Sequence, residues 1–401
     1  MDDRVIFHID VNSAFLSWEA VYNLENGGTE DYREGLFAVG GDVETRHGII
    51  LAKSIKTKPY GVTTGEPVVN AIKKCPNLKL LKSHRNIYSQ YSHAFINVLK
   101  DYSDCIEQFS IDEAFVDMTG TRLLFGEPLD AANMIRQRIR NELGFTVNVG
   151  VSSNKLLAKM ASDFTKPDKT HTLFPEEVPL KMWPLPVSDL FFVGKNTAQK
   201  LNSVGIKTIG DLAHTNKEVL TGLFKKQGEY MWYAANGIDD SLVTPEHPDA
   251  KGYSHSTTLP YNVTEKDEAK MVLRTLTERV CERVREDNVK AQTVTVQLRF
   301  NDLTRSTHQC TLETPTNITD EIYSYVSKLF DEKWDGTPIR LLGVQASNVT
   351  SDDSFRQISL FDNTNYEKLE KLDKALDTIN ARYGRGSILR ASNLKNQKED
   401  S

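Results

Sequence analysis

The stretch Glu107–Asp117, EQFSIDEAFVD, limits what this chain can fold into more than any other. It reads as a strand with Phe109, Ile111 and Phe115 on one parity, yet Glu113 falls in that row and Asp112 stands beside it. Successive strand residues point to opposite faces. Two carboxylates sharing one task therefore predict a tight turn or bulge at Ile111–Glu113, with Phe109 and Phe115 anchoring the two arms in the core. A third acid, Asp10, ends the alternating apolar run RVIFHID. A buried carboxylate without a neutralising partner is strongly unfavourable. Either each acid is a local cap or ion-pair partner, or the three converge on a divalent metal. Oxygen-only ligands select Mg²⁺ or Mn²⁺. Two such ions about 4 Å apart suit in-line phosphoryl transfer.

The 401 residues suffice for several domains. Residues 4–10 alternate as a strand, and the following residues through Glu25 read as a helix with Asn12 or Ser13 as cap. Strand-like pieces at 36–40 and 48–53, helices at 86–101 and 130–143, and the strand FTVNVGVS predict an α+β layer domain. After Pro184 and Pro186, residues 187–238 read as all-helical. From about residue 246 the pattern is strand, helix, two strands, helix, strand: a βαββαβ unit. A polar stretch and an amphipathic helix over 366–382, stopped by Gly384, close the chain. Cys75, Cys105, Cys281 and Cys310 are scattered, which argues against a disulfide framework or zinc site. No run approaches ~20 apolar residues, so a cytoplasmic protein with no membrane partner is expected. Net charge is −6, with no segment basic in bulk, so nucleic-acid binding has to rest on local Lys and Arg.

Three motifs in order, HIDVNSAFLSWE, FSIDEAFVD and VNVGVSSNKLLAKMASDFTKP, resemble the Y-family translesion DNA polymerases of the bacterial UmuC/DinB branch. The resemblance covers residues 4–350. It implies an α+β multidomain, right-hand-like polymerase: palm and fingers over 1–185 (fingers about 20–80), a helix-hairpin-helix thumb over 186–245, and a βαββαβ little finger over 246–350. A tail fills 351–401. It implies template-directed addition of dNTPs to the 3′-hydroxyl of primer-template DNA, with Asp10, Asp112 and Glu113 catalytic. These residues and the Val11 carbonyl would hold two Mg²⁺ ions, for which Mn²⁺ can substitute.

The resemblance also assigns a nucleotide pocket. The amides of Asn12, Ser13, Ala14 and Phe15 begin a helix and can face phosphate oxygens. Phe15 is the sugar gate, and Ile49 and Leu51 line the roof over the new base pair. Where the family places a Tyr and an Arg on the triphosphate, this chain has Ile55 and Lys58. A lysine binds phosphate as a point charge, without the bidentate fork. Ser54 or Lys56 is expected to compensate, and Lys166 to reach the phosphates.

DNA contacts are expected from Gly194, Lys195, Thr197 and Lys200, although Phe192 replaces the first hairpin glycine. Arg299 and Arg305 are expected to add contacts from the little finger. RQISLFD, residues 356–362, is similar to the peptide that binds the bacterial sliding clamp, the beta subunit of the replicase, with Gln357, Leu360 and Phe361 as anchors. Accessory mutagenesis proteins are further expected partners. The alternatives are a non-catalytic clamp- and DNA-binding scaffold of a mutagenic repair complex, and a two-metal nuclease.

Overall fold

The structure, a computed structural model, describes residues 4–41, 48–246, 249–351, 365–384 and 386–388. The chain divides into two compact units, the first ending at His247 and the second continuing from Pro248. The first begins with β1 (Ile6–Val11), α1 (Ala14–Glu25), β2 (Phe37–Gly40), β3 (Ile50–Lys53), α2 (Val68–Lys74) and β4 (Lys79–Leu81). It continues with α3 (Arg85–Lys100), β5 (Ile106–Gln108), β6 (Glu113–Asp117), α4 (Arg122–Phe125), α5 (Pro128–Leu143), β7 (Val147–Ser152), α6 (Lys155–Ser162) and β8 (Thr170–Thr172). Four helices follow: α7 (Lys195–Ser203), α8 (Ile209–His214), α9 (Lys217–Phe224) and α10 (Lys226–Ala235).

The main sheet has the order β5-β6-β1-β7-β8, with β1 antiparallel to both neighbours. Phe7, Ile9 and Val11 join Phe95, Leu99, Ile135 and Ile139 from α3 and α5 in one core. On the opposite face Ile6 and Phe115 pack on Ala158 of α6. Coverage on both faces explains why β1 is buried along both parities, His8 and Asp10 included in the row under α6. Helix α6 lies very close to β7: a Cβ on Gly150 would fall 2.0 Å from the Ala158 carbonyl oxygen. Only glycine permits this approach, which carries the α6 side chains down onto the sheet.

The stretch Glu107–Asp117 is a hairpin. Strand β5 stops at Gln108, the chain bends through Ser110–Asp112, and β6 restarts at Glu113, antiparallel to β5. The Phe109 N–H donates to the Glu113 carbonyl at 3.0 Å. The break required by the two acids is therefore present. Phe115 is buried as expected, but Phe109 is 42% exposed. It belongs to the turn and not to a core-facing arm, and its ring edge meets Phe115 at 5.6 Å. A second correction concerns α1. Ser13 occupies the N-cap position with φ 48°, and its hydroxyl makes no capping hydrogen bond.

The small sheet β3-β2-β4 carries its own core around Ala38, Ile50 and Val68. In the helical segment, Phe192 takes the hairpin glycine's place with φ 65° and still adopts the left-handed backbone a glycine would favour. Gly194 then caps α7.

The second unit contains β9 (Gly252–Val263), α11 (Lys266–Glu286), β10 (Val289–Phe300), β11 (Arg305–Thr316), α12 (Thr319–Lys333), β12 (Ile339–Ser351) and α13 (Tyr366–Tyr383). This is the expected βαββαβ order, closed into an antiparallel sheet β11-β10-β12-β9. Val294, Val296 and Leu298 face the helices. The alternate residues Thr295, Gln297 and Arg299 form a polar face with Gln309, Thr307 and Arg305 directly across on β11. Helix α13 packs back on α11. Arg285 binds Asp377 at 2.7 Å and the buried Asp373 at 3.3 Å.

Candidate active site

The register of the main sheet brings the acids together. Asp10 pairs across β1 and β6 with Glu113, so both carboxylates lie on the face that α6 covers. Asp112 sits in the bend just before β6, and its carbonyl accepts the Val11 N–H at 2.9 Å. Strand β6 therefore need not point successive residues one way: Glu113 belongs to the strand and Asp112 to the turn. Ser110 Oγ donates to Asp112 Oδ1 at 2.6 Å.

Two lysines close over the carboxylates. Lys159 Nζ donates to Glu113 Oε2 at 2.6 Å and lies 3.5 Å from both Asp10 and Asp163. Lys166 Nζ donates to Asp10 Oδ1 at 3.0 Å and pairs with Asp163 at 2.8 Å. From below, His8 Nε2 approaches Glu113 Oε2 to 3.1 Å, at an angle short of a well-formed hydrogen bond, while Nδ1 lies 2.8 Å from Ser162 Oγ. The loop carrying Lys166 is held by Asn148 Nδ2, which donates to Ser162 and Thr165 carbonyls, and by Arg136 and Arg140 on Asp168.

The electrostatics follow from this arrangement. Burial opposes ionisation of Glu113, but contacts from His8 and Lys159 outweigh it and hold the carboxyl at about 2. For Asp112, burial pushes the pKa up against the Ser110 hydrogen bond, and the Asp10 and Glu113 charges push the same way. Burial also works against charged Lys159 and Lys166, yet their acidic neighbours raise both. His8 is lowered, chiefly by burial.

Among the described residues no three His, Cys, Asp or Glu side chains are closed around a common point. The lysine ammonium groups lie against Asp10 and Glu113 instead. The donor chemistry nonetheless fits a hard divalent ion: the set is all oxygen, and Asp112 registers the repulsion of two nearby carboxylates.

A cleft beside the acids is lined by Asn12, Ser13, Ser54 and Ile55, together with Arg33, Arg140 and Asp168. Leu16 and Ser17 of the first α1 turn also line it, and Phe15 packs on Tyr88 at 4.7 Å. Leu51 is half-buried and Ile49 exposed. Ser54 does not supply a free phosphate donor: its hydroxyl is buried and donates to the Gly35 carbonyl at 2.7 Å. Lys56 is paired with Glu34. Lys58 is exposed and has no partner among the described residues.

Further along the first unit, Gly194, Lys195 and Thr197 sit at the open start of α7. Lys200 turns away from it, donating to the Leu223 carbonyl at 2.8 Å over the Phe224 ring. Arg299 and Arg305 are direct cross-strand neighbours in the second unit. Gln357, Leu360 and Phe361 lie outside the described residues. Lys159, Asp163 and His8 were not singled out from the sequence. The signal available was a lysine inside the apolar run KLLAKMAS and the Lys159–Asp163 spacing of one helical turn.

A mixed sheet with carboxylates on its central, antiparallel strand and adjoining hairpin, a small second sheet, a helical hairpin segment and a βαββαβ unit define a Y-family DNA polymerase. The comparisons agree. The impB/mucB/samB family matches residues 9–163 and its C-terminal domain matches residues 250–360, while the thumb domain of DNA polymerase-iota matches residues 188–239. The chain is 44% identical to the DNA polymerase IV of Clostridium acetobutylicum, over 99% of this chain and 100% of that protein. It is 38% identical to DNA polymerase IV 2 of Bacillus subtilis, over 98% and 95% respectively. A solved Y-family DNA polymerase chimera superposes with a TM-score of 0.75 at 24% identity, covering 86% of this chain and 99% of the chimera. The chain belongs to the impB/mucB/samB family of Y-family DNA polymerases, in the DinB branch. No described helix is long and apolar enough to cross a membrane.

Proposed function

We propose that this translesion-type DNA polymerase adds dNTPs to a primer 3′-hydroxyl at the site formed by Asp10, Asp112 and Glu113. The observation that carries the reading is the Asp10–Glu113 register with Asp112 in the adjoining turn, three carboxylates brought to one end of the central strands. Asp10, Asp112, Glu113 and the Val11 carbonyl would hold Mg²⁺, or Mn²⁺ in its place. When bound, the ions supply Lewis acidity, lowering the pKa of the attacking hydroxyl and neutralising charge on the leaving diphosphate. The amides of Asn12 to Phe15 orient the phosphates, Phe15 excludes a 2′-hydroxyl by contact with the sugar, and Lys166 swings from Asp10 towards the nucleotide. Lys159 keeps Glu113 ionised throughout.

The parts are assigned as palm and fingers over 1–185, thumb over 186–245, little finger over 246–350 and tail beyond. Gly194, Lys195 and Thr197 in the thumb and Arg299 and Arg305 in the little finger contact the DNA backbone. Lys200 leaves the proposed set because its ammonium is already engaged. Gln357, Leu360 and Phe361 bind the sliding clamp, which offsets modest intrinsic DNA affinity by raising local concentration at the primer end.

Primer extension with Mg²⁺ and dNTPs tests the reading. Wild-type protein extends the primer, and Asp112→Ala abolishes extension. Leu360→Ala with Phe361→Ala removes clamp stimulation and spares basal synthesis. Shortening of the primer would instead identify a nuclease, and binding without turnover a scaffold.

A further inference from the structure

The seam between the acid-bearing hairpin and the helical segment is aromatic and open. Between ring centroids, Phe109 meets Phe191 at 6.0 Å, Phe191 meets Phe192 at 3.9 Å, and Phe192 meets Tyr230 at 5.9 Å. Phe191 is half-buried, but Phe109, Phe192 and Tyr230 are exposed, Phe192 at 57%. Folding alone disfavours a Phe at 192. Its backbone is left-handed at φ 65°, a conformation that penalises a bulky side chain, and its ring stays largely in water. We infer that this ridge seats the primer strand, with Phe192 packed on the deoxyriboses that lead to the 3′ end. This rests on the polymerase reading above and gives a task to residues that the reading does not assign.

Two observations name the occupant. The first is where the ridge begins. Phe109 stands three residues before Asp112, and its N–H donates to the Glu113 carbonyl at 3.0 Å. Lys159, bound to Glu113, lies 6.0 Å from the centre of the Phe191 ring. A primer 3′-hydroxyl that reaches these acids brings its own strand past the rings beside them. The second is where the ridge leads. Two residues beyond Phe192, Gly194 caps α7 without a side-chain acceptor, and a Cβ there would meet nothing within 4 Å. The first-turn amides thus lack a capping group, and Lys195 is exposed with no ion pair among the described residues. Rings for sugars, beside amides and a cation for phosphates, match the two surfaces of one nucleic-acid strand. Within a duplex the base faces are already stacked, so the deoxyribose is the apolar surface left for a ring.

A ring that only closed the seam would matter for stability and not for DNA. Primer-template affinity of the full chain, read by fluorescence anisotropy, separates the two. Phe192→Gly supplies the residue that suits a left-handed backbone. It is expected to weaken binding about fivefold or more. The slope of log Kobs against log salt should not change, because an apolar contact releases no counter-ions. Phe192→Tyr is expected to keep most of the affinity, and the melting temperature of Phe192→Gly to stay close to that of the wild type. In primer extension Phe192→Gly raises KM for primer-template more than it lowers kcat. A photo-crosslinking phenylalanine analogue at 192 is expected to label the primer strand of a duplex whose two strands carry different dyes. Three outcomes overturn the inference: unchanged affinity in Phe192→Gly, a loss of affinity matched by a lower melting temperature, or crosslinks to the template strand alone. Extension by the wild type beside Asp112→Ala reports on the polymerase reading independently, so either can fail without the other.

Discussion

Lys159 is 8% exposed, and three acids decide its charge. Asp163, Asp10 and Glu113 keep it protonated against the cost of burial, and it in turn helps to keep Glu113 ionised. Replacing it with methionine keeps the volume but leaves Glu113 facing His8 alone. Breaking such a buried pair costs roughly 3–5 kcal/mol, so Lys159→Met should unfold at markedly lower urea concentration in metal-free buffer at neutral pH. The sign with pH follows from Glu113. Its folded pKa, about 2, lies below the ordinary 4.5, so its contribution is complete above 4.5 and fades as pH falls towards 2. The difference between wild type and Lys159→Met should therefore narrow on acidification. A constant difference between pH 6 and pH 3 would show that the pair does not carry the stability. Of this only the Lys159–Asp163 spacing was legible in the sequence. His8 and Ser162 meet across 154 positions, and Lys159 and Glu113 across 46, distances that only the sheet register and the glycine at 150 bring together.

At the scale of elements, local pattern served well where one face met one core. The βαββαβ order, α5, α3 and the terminal helix all follow from periodicity with cap or stop residues. It failed at Phe109 because parity was carried through a turn, and strand alternation has no meaning once the backbone leaves the ladder. The hairpin itself was legible because two adjacent acids with one task cannot share a straight strand. Helix α13 shows the same boundary. Its leucine stripe announced an amphipathic helix, yet Leu372 remains 45% exposed and the attachment is partly ionic. Arg285 and Asp373, 88 positions apart, are both largely buried, and Asp373 also accepts the Thr319 N–H at 2.8 Å. Asp373→Ala leaves a guanidinium with one acid fewer and an α12 amide without its cap. It should weaken docking of α13 by roughly 3–5 kcal/mol. Hydrogen exchange measures this: the α13 amides should exchange much faster in Asp373→Ala while those of β10 and β12 stay protected. Unchanged protection of α13 would mean that its apolar contacts suffice.

For the whole molecule, a net charge of −6 has to be reconciled with binding a polyanion. In the second unit the helices α11 and α12 interleave acids with Lys and Arg, while the open sheet face carries Thr, Gln and Ser with one arginine pair. Neutral donors position a phosphate backbone without releasing counter-ions, whereas arginines such as the proposed contacts Arg299 and Arg305 release them on binding phosphate. Arg299 Nε is buried and has no hydrogen-bond partner among the described residues. The salt dependence of primer-template binding is then a count of cationic contacts. Changing Arg299 and Arg305 together to alanine should weaken binding and reduce the slope of log Kobs against log salt by about 2. Changing Gln297 and Gln309 to alanine should weaken binding at constant slope. If the arginine pair is replaced and the slope stays the same, the cationic contacts lie elsewhere, and Lys195 at the start of α7 becomes the next residue to change.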